Sequence, residues 1–237
     1  MPAHIGIAAC SAEGAALCYR TICAESIAAL GRLSHPEVSM HTPDLADYMA
    51  PLERDDWPAV AEVMLDSARR LAGMGADFVI CPDNTVHQSL PWVLSRSPLP
   101  WLHIAEVVAD AARGRGMSCL GLTGTRWLVD SEVYPEKLAA YGIRYQRPTP
   151  EQRDEISRII MQELVPGQVL QPSVDYFCQV ISDMKASGCD GVVLGCTEIP
   201  LIINDDNSPL PVLDSTRLLA RAALDRAMHH PEENTDP

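Results

Sequence analysis

Lysine is almost missing. Lys137 and Lys185 are the only two in 237 residues, and both lie in polar, helix-like stretches, PEKLAAYG and SDMKASG. Pyridoxal phosphate chemistry needs a pocket lysine for its Schiff base, so that cofactor is disfavoured. Runs of Lys or Arg are missing too, and 18 basic residues against 32 acidic ones leave a formal charge of -14. Such a chain is repelled by phosphate backbones and anionic lipid, so neither nucleic acid nor a membrane is expected as a partner. No apolar stretch has bilayer-spanning length. No basic region precedes the apolar run from Ile5 to Cys10, which argues against a signal peptide. No spacing of His, Cys and carboxylates matches a metal site, so no metal is expected. GLTGT, from Gly121 to Thr125, is too short a glycine pattern to mark a dinucleotide site.

What is present is material for a core: 47% of the residues are hydrophobic, enough for one large domain or two small ones. Eight cysteines are spread along the chain. Several, such as Cys119, Cys178 and Cys189, fall inside apolar runs, where cysteine packs as a small hydrophobe. That usage fits a reducing cytoplasm.

Short apolar runs alternate with longer amphipathic stretches, the pattern of a parallel sheet covered by helices. Strands are predicted at Ile5–Ala9, Ser39–His41, Phe78–Cys81, Trp101–Ile104, Ser118–Leu122, Ile143–Gln146, Gly191–Leu194 and Val212–Leu213. Helical periodicity is clear over Pro58–Gly73, where Val60, Val63, Met64, Ala68 and Leu71 share a face, and over Pro150–Leu164, which starts with an acidic turn. Gly75, Gly142, Gly188 and the stretch from Ser95 to Pro100 mark turns. The polar tail from His229 to Pro237 is predicted to be disordered.

The chain also repeats itself. GADFVICPDNT from Gly75 aligns without gaps on GCDGVVLGCTE from Gly188, each running Gly, any residue, Asp, an apolar strand and a turn. HIGIAACS from His4 resembles CLGLTGTR from Cys119 at nearly the same offset. Two related α/β halves follow, with 1–100 plus 211–237 expected to form the first and 101–210 the second. The alignment puts Asp83 opposite Cys196, Asn84 opposite Thr197 and Thr85 opposite Glu198. Ligands of open parallel sheets sit beyond the carboxyl ends of the strands, so equivalent strand ends of two halves could address one carbon from both sides.

Cys196, in GCTEIP, is predicted at the first turn of a helix, where a thiol pKa is lowered. Asp83, in CPDNTVH, is either a helix N-cap or its functional counterpart. Cys81 aligns with Leu194 inside a strand and is assigned to the core. Asn84, Thr85 and Thr197 supply donors suited to a carboxylate, and Ser11 and Thr125 hold equivalent places after the first strand of each half. Glu198 has two readings: a partner for a substrate ammonium, or a group interacting with its own helix dipole. His87 and His103 are assigned to structural hydrogen bonding.

At PDNTVH and GCTEIPLII the chain resembles the aspartate/glutamate racemase superfamily, whose usual motifs are CNTAH and GCTE. The resemblance extends to CSAEGAALCYR, GLTGTRWLVDSEVYPEKL and PVLDST, nearly the whole chain. It implies two pseudo-symmetric α/β domains with the active site in the cleft between them, no cofactor, commonly a homodimer, and two cysteines alternating as base and acid. Cys196 matches the second cysteine; Asn84, Thr85, Thr125, Thr197 and Glu198 match substrate-binding places. Asp83 is the departure, standing where the first cysteine would be, and Cys10 stands where the superfamily commonly has methionine or glycine. The expected function is racemisation or epimerisation at the α-carbon of an acidic amino acid. The alternatives are decarboxylation or cis-trans isomerisation of a small dicarboxylate through Cys196, and non-catalytic sensing of carboxylates.

Overall fold

A computed structural model describes residues 2–229; most of the tail expected to be disordered lies outside them. The chain divides into two compact units. The first comprises residues 2–82, 89–102 and 219–229, and the second 83–88 and 103–218.

In the first unit, β1 (Ile5–Ala8) lies between β2 (Val38–His41) and β3 (Phe78–Ile80), all parallel. In the second, β4 (Cys119–Thr123) lies between β5 (Arg144–Gln146) and β6 (Gly191–Leu194), and β7 (Val212–Asp214) extends the sheet beyond β6. Every pairing there is parallel as well. The two sheets therefore share one strand order, with β7 as an addition. β1, β3, β4 and β6 are buried throughout, as strands covered on both faces must be, which is why they read as continuous apolar runs.

The repeated Gly-x-Asp has a physical basis in each unit. Gly75 and Gly188 take positive φ of 87° and 94°, open to glycine without strain. The aspartate that follows clamps the start of the neighbouring strand. Asp77 Oδ2 accepts from His4 N at 2.6 Å, while Asp190 accepts from Ser118 N at 2.8 Å and Cys119 N at 3.0 Å. The backbones match too: Asp77 N donates to His4 O and Asp190 N to Cys119 O, both at 2.9 Å.

Helix Trp57–Gly73 starts at Asp56, whose Oδ1 accepts from Ala59 N at 3.2 Å. It buries Val60, Met64, Ala68 and Leu71 together with Ala61 and Leu65, each large apolar side chain worth about 1.5–3 kcal/mol when withdrawn from water. Two expectations need correction. No strand spans Trp101–Ile104. Trp101 makes a single bridge to Val79, and the chain then enters helix Ile104–Gly114 because His103 Nδ1 accepts from Ala105 N at 3.2 Å and caps it. The helix predicted over Pro150–Leu164 is α-helical for Pro150–Ile159, behind a Thr149/Gln152 capping box, and widens into a π-turn over Ile160–Leu164. No helix among the described residues is long and apolar enough to cross a membrane.

Candidate active site

The segment 83–88 follows β3 yet belongs to the second unit, and its side chains explain why. Asn84 is buried at 2% exposure. Its Nδ2 donates to Ser215 Oγ at 2.9 Å and its Oδ1 accepts from Tyr134 Oη at 2.6 Å. Thr85 Oγ1 lies 3.5 Å from Thr125 Oγ1. Gln88 Nε2 donates to the Trp127 carbonyl at 3.0 Å. His87 Nδ1 is 2.7 Å from the Asp83 carbonyl, and its Nε2 accepts from Ile104 N at 3.2 Å. A carbonyl only accepts and an amide only donates, so this imidazole carries its proton on Nδ1. His87 and His103 sit with ring centroids 4.9 Å apart. Burial, aided by His87 and Lys137, pulls the His103 pKa down to about 2. Both histidines are hydrogen-bonding parts of the frame.

Asp83 is half-buried. Its Oδ1 accepts from Val86 N at 3.2 Å, capping the short 3-10 helix Thr85–Ser89. The capping role is therefore real.

Cys196 lies two residues beyond β6, and Gly195 shapes the approach. A Cβ there would meet the Thr123 carbonyl oxygen at 2.5 Å and Leu128 Cδ2 at 2.6 Å, while Gly195 N already donates to that carbonyl at 2.9 Å. The predicted helix after Cys196 is replaced by a single 3-10 turn, Ile199–Leu201. Bonds of Asn204 N to Asn207 Oδ1 and of Asp206 N to Asn204 Oδ1, both 2.9 Å, fold the following residues into a turn. The expected lowering of the thiol is overturned with it. Burial, then the Glu198 carboxylate, pushes the Cys196 thiol well above the usual range, and Asp83 adds to the rise. Cys196 Sγ donates to Glu198 Oε2 at 2.9 Å, and Thr197 Oγ1 donates to the same oxygen at 2.8 Å. Thr197 and Glu198 are both 5% exposed.

Of the residues singled out in the sequence, Asp83, Asn84, Thr85, Thr125, Cys196, Thr197 and Glu198 all fall in the second unit. Ser11 belongs to the first, where its Oγ accepts from Gly14 N at 3.2 Å and caps helix Ala12–Glu25. Cys81 is fully buried. Tyr134 and Ser215 were missed as members of the site's frame, although each lies in a stretch that carries the superfamily resemblance. Among the described residues, no group of three or more His, Cys, Asp or Glu side chains is arranged to hold a metal ion.

The Asp83 carboxylate and the Cys196 thiol fall in one unit, and the charge of the first adds to the rise in the thiol's pKa. Comparisons with known proteins place the chain in a family. The Asp/Glu/Hydantoin racemase family model matches residues 7–223. The broad-specificity amino-acid racemase of Bacillus subtilis is 22% identical over 205 residues, 85% of this chain and 86% of that protein. A crystal structure of a Yersinia pestis protein assigned to the Asp/Glu racemases superposes with a TM-score of 0.88 at 30% identity, covering 95% of this chain and 99% of that one. The crystal structure of an aspartate racemase homologue from Pyrococcus horikoshii, at 24% identity and a TM-score of 0.83, covers 96% and 100% and shares the fold. The chain belongs to the Asp/Glu/hydantoin racemase family of isomerases.

Proposed function

We propose that this protein racemises or epimerises an acidic amino acid at its α-carbon without a cofactor, with Asp83 and Cys196 moving protons on opposite faces of the substrate. The observation that carries the reading is that the Cys196 thiol donates to Glu198 Oε2 at 2.9 Å in the same unit as the Asp83 carboxylate, one group suited to give a proton and one suited to take it. On this reading the resting enzyme uses Asp83 as its base and the Cys196 thiol as its acid. For one enantiomer, Asp83 removes the α-proton and the Cys196 thiol returns one from the other face. In the reverse direction the roles exchange: the thiol first loses its proton, with Glu198 Oε2 2.9 Å away as the acceptor within reach, and Asp83 enters protonated to return a proton to the substrate. Thr85, Thr125 and Thr197, with the second amide hydrogen of Asn84 and backbone amides, bind the α-carboxylate.

The protonated thiol also supports a second reading, decarboxylation of a small dicarboxylate with Cys196 as proton donor to the enediolate. Proton NMR in D2O over a panel of amino acids separates the two. Racemisation replaces the α-proton by deuterium with the carbon skeleton intact, whereas decarboxylation releases carbon dioxide and leaves amino-acid α-protons unexchanged.

A further inference from the structure

We propose that Tyr134 is a positioning residue which, through Asn84 and Ser215, fixes Asp83 relative to the end of β6 that leads into Cys196. The inference deepens the racemase reading but stands on hydrogen-bond geometry that is independent of any substrate. Tyr134 is 1% exposed and packs among the apolar side chains of the second unit. Its hydroxyl donates to Asn84 Oδ1 at 2.6 Å; Asn84 Nδ2 donates to Ser215 Oγ at 2.9 Å; Ser215 Oγ donates to the Leu194 carbonyl at 2.9 Å. Leu194 is the last residue of β6, and Asn84 directly follows Asp83.

The direction of this relay is fixed at both ends. The Leu194 carbonyl only accepts, so Ser215 gives its hydrogen there and must accept from Asn84. Asn84 then presents its carbonyl oxygen to Tyr134, which must donate. Burial pushes the phenol well above the usual tyrosine range, so the donor hydrogen is retained. Turning the amide would leave the buried Asn84 Oδ1 facing a hydroxyl whose hydrogen is already given to Leu194, an orphaned acceptor costing about 1–3 kcal/mol. The hydroxyl of one tyrosine thereby selects a single orientation of the residue next to Asp83. His87 anchors the Asp83 carbonyl separately, so losing the tyrosine hydroxyl loosens this segment without detaching it.

Tyr134→Phe tests this, alone and with Asp83→Asn, using two readouts on the full chain. In α-proton exchange of aspartate and glutamate, Tyr134→Phe is expected to lower kcat by on the order of 10-fold or more, with a smaller rise in KM because Asn84 also contributes to binding, since small misplacements of a reacting group are expensive. In the Asp83→Asn background the same change should add almost nothing. In the second readout, the pH dependence of Cys196 alkylation by iodoacetamide should shift in Tyr134→Phe when Asp83 is present and stay put when it is Asn. Equal effects of Tyr134→Phe in both backgrounds, or no effect on either readout, overturn the proposal. If Tyr134→Phe does not fold, Ser215→Ala interrupts the same relay and is held to the same outcomes. A wild type without α-proton exchange that still shows the coupled alkylation shift supports the positioning role and removes the racemase reading instead.

Discussion

The thiol of Cys196 is hydrogen-bonded to Glu198 Oε2 at 2.9 Å, an oxygen that also takes the Thr197 hydroxyl at 2.8 Å. A carboxylate in that place stabilises the thiol over the thiolate, because ionisation would set two negative charges side by side. Cys196 is therefore expected to alkylate slowly at neutral pH and faster as the pH rises beyond the ordinary thiol range. Glu198→Gln removes the charge and should move the alkylation profile to lower pH. Mass mapping with Cys196 labelled first at neutral pH in wild type would contradict this.

A second pH effect concerns stability. The His103 pKa is depressed to about 2 in the fold, against about 6.5 in an unfolded chain. Its contribution is complete above pH 6.5 and is lost as the pH falls below that value towards 2, because only the unfolded state takes up the proton. Between pH 7 and 5 the loss should be about 1–2 kcal/mol. His103→Asn keeps a capping side chain and should lose correspondingly less. Urea unfolding at the two pH values gives the comparison; identical losses in both proteins would refute the assignment.

Two glycines should respond oppositely to alanine. At Gly195 the new methyl meets the Thr123 carbonyl and Leu128 within 2.6 Å, so Gly195→Ala should cost about 1–3 kcal/mol and depress activity by displacing Cys196. At Gly114, the last residue of helix Ile104–Gly114, nothing lies within 4 Å. Gly114→Ala should be neutral or stabilising by up to about 1 kcal/mol. Denaturation midpoints check both.

The sheet was legible because its signals are local. Gly-x-Asp before β3 and β6 encodes a turn and a clamp within a few residues, and the buried strands are plain apolar runs. The terminal stretches were harder, since Trp101–Ile104 reads as a strand until the His103 side chain is seen capping the next helix. Asp83 and Cys196 both fall in the second unit, and their pairing was legible in the repeat. The thiol's protonation state was not, because it depends on where the Glu198 side chain turns. The frame around Asn84 was hidden for a different reason: its partners Tyr134 and Ser215 lie 50 and 131 positions away, beyond any spacing rule.

Cofactor independence is the next expected outcome. Purified protein should lack pyridoxal absorbance and keep its activity after dialysis against a chelator, since the reading assigns both proton transfers to side chains. Loss of activity on dialysis, restored by a divalent metal, would contradict it.

The most direct measurement is α-proton exchange in D2O, started separately from each enantiomer of aspartate and glutamate, for wild type, Asp83→Asn and Cys196→Ser. Asparagine caps about as well as aspartate, so Asp83→Asn should fold normally while its turnover falls by on the order of 100-fold or more. Exchange should be lost chiefly from the enantiomer whose α-proton faces Asp83, and Cys196→Ser should lose it chiefly from the other. Full exchange of both enantiomers by Asp83→Asn would contradict the two-base mechanism and leave Asp83 a cap.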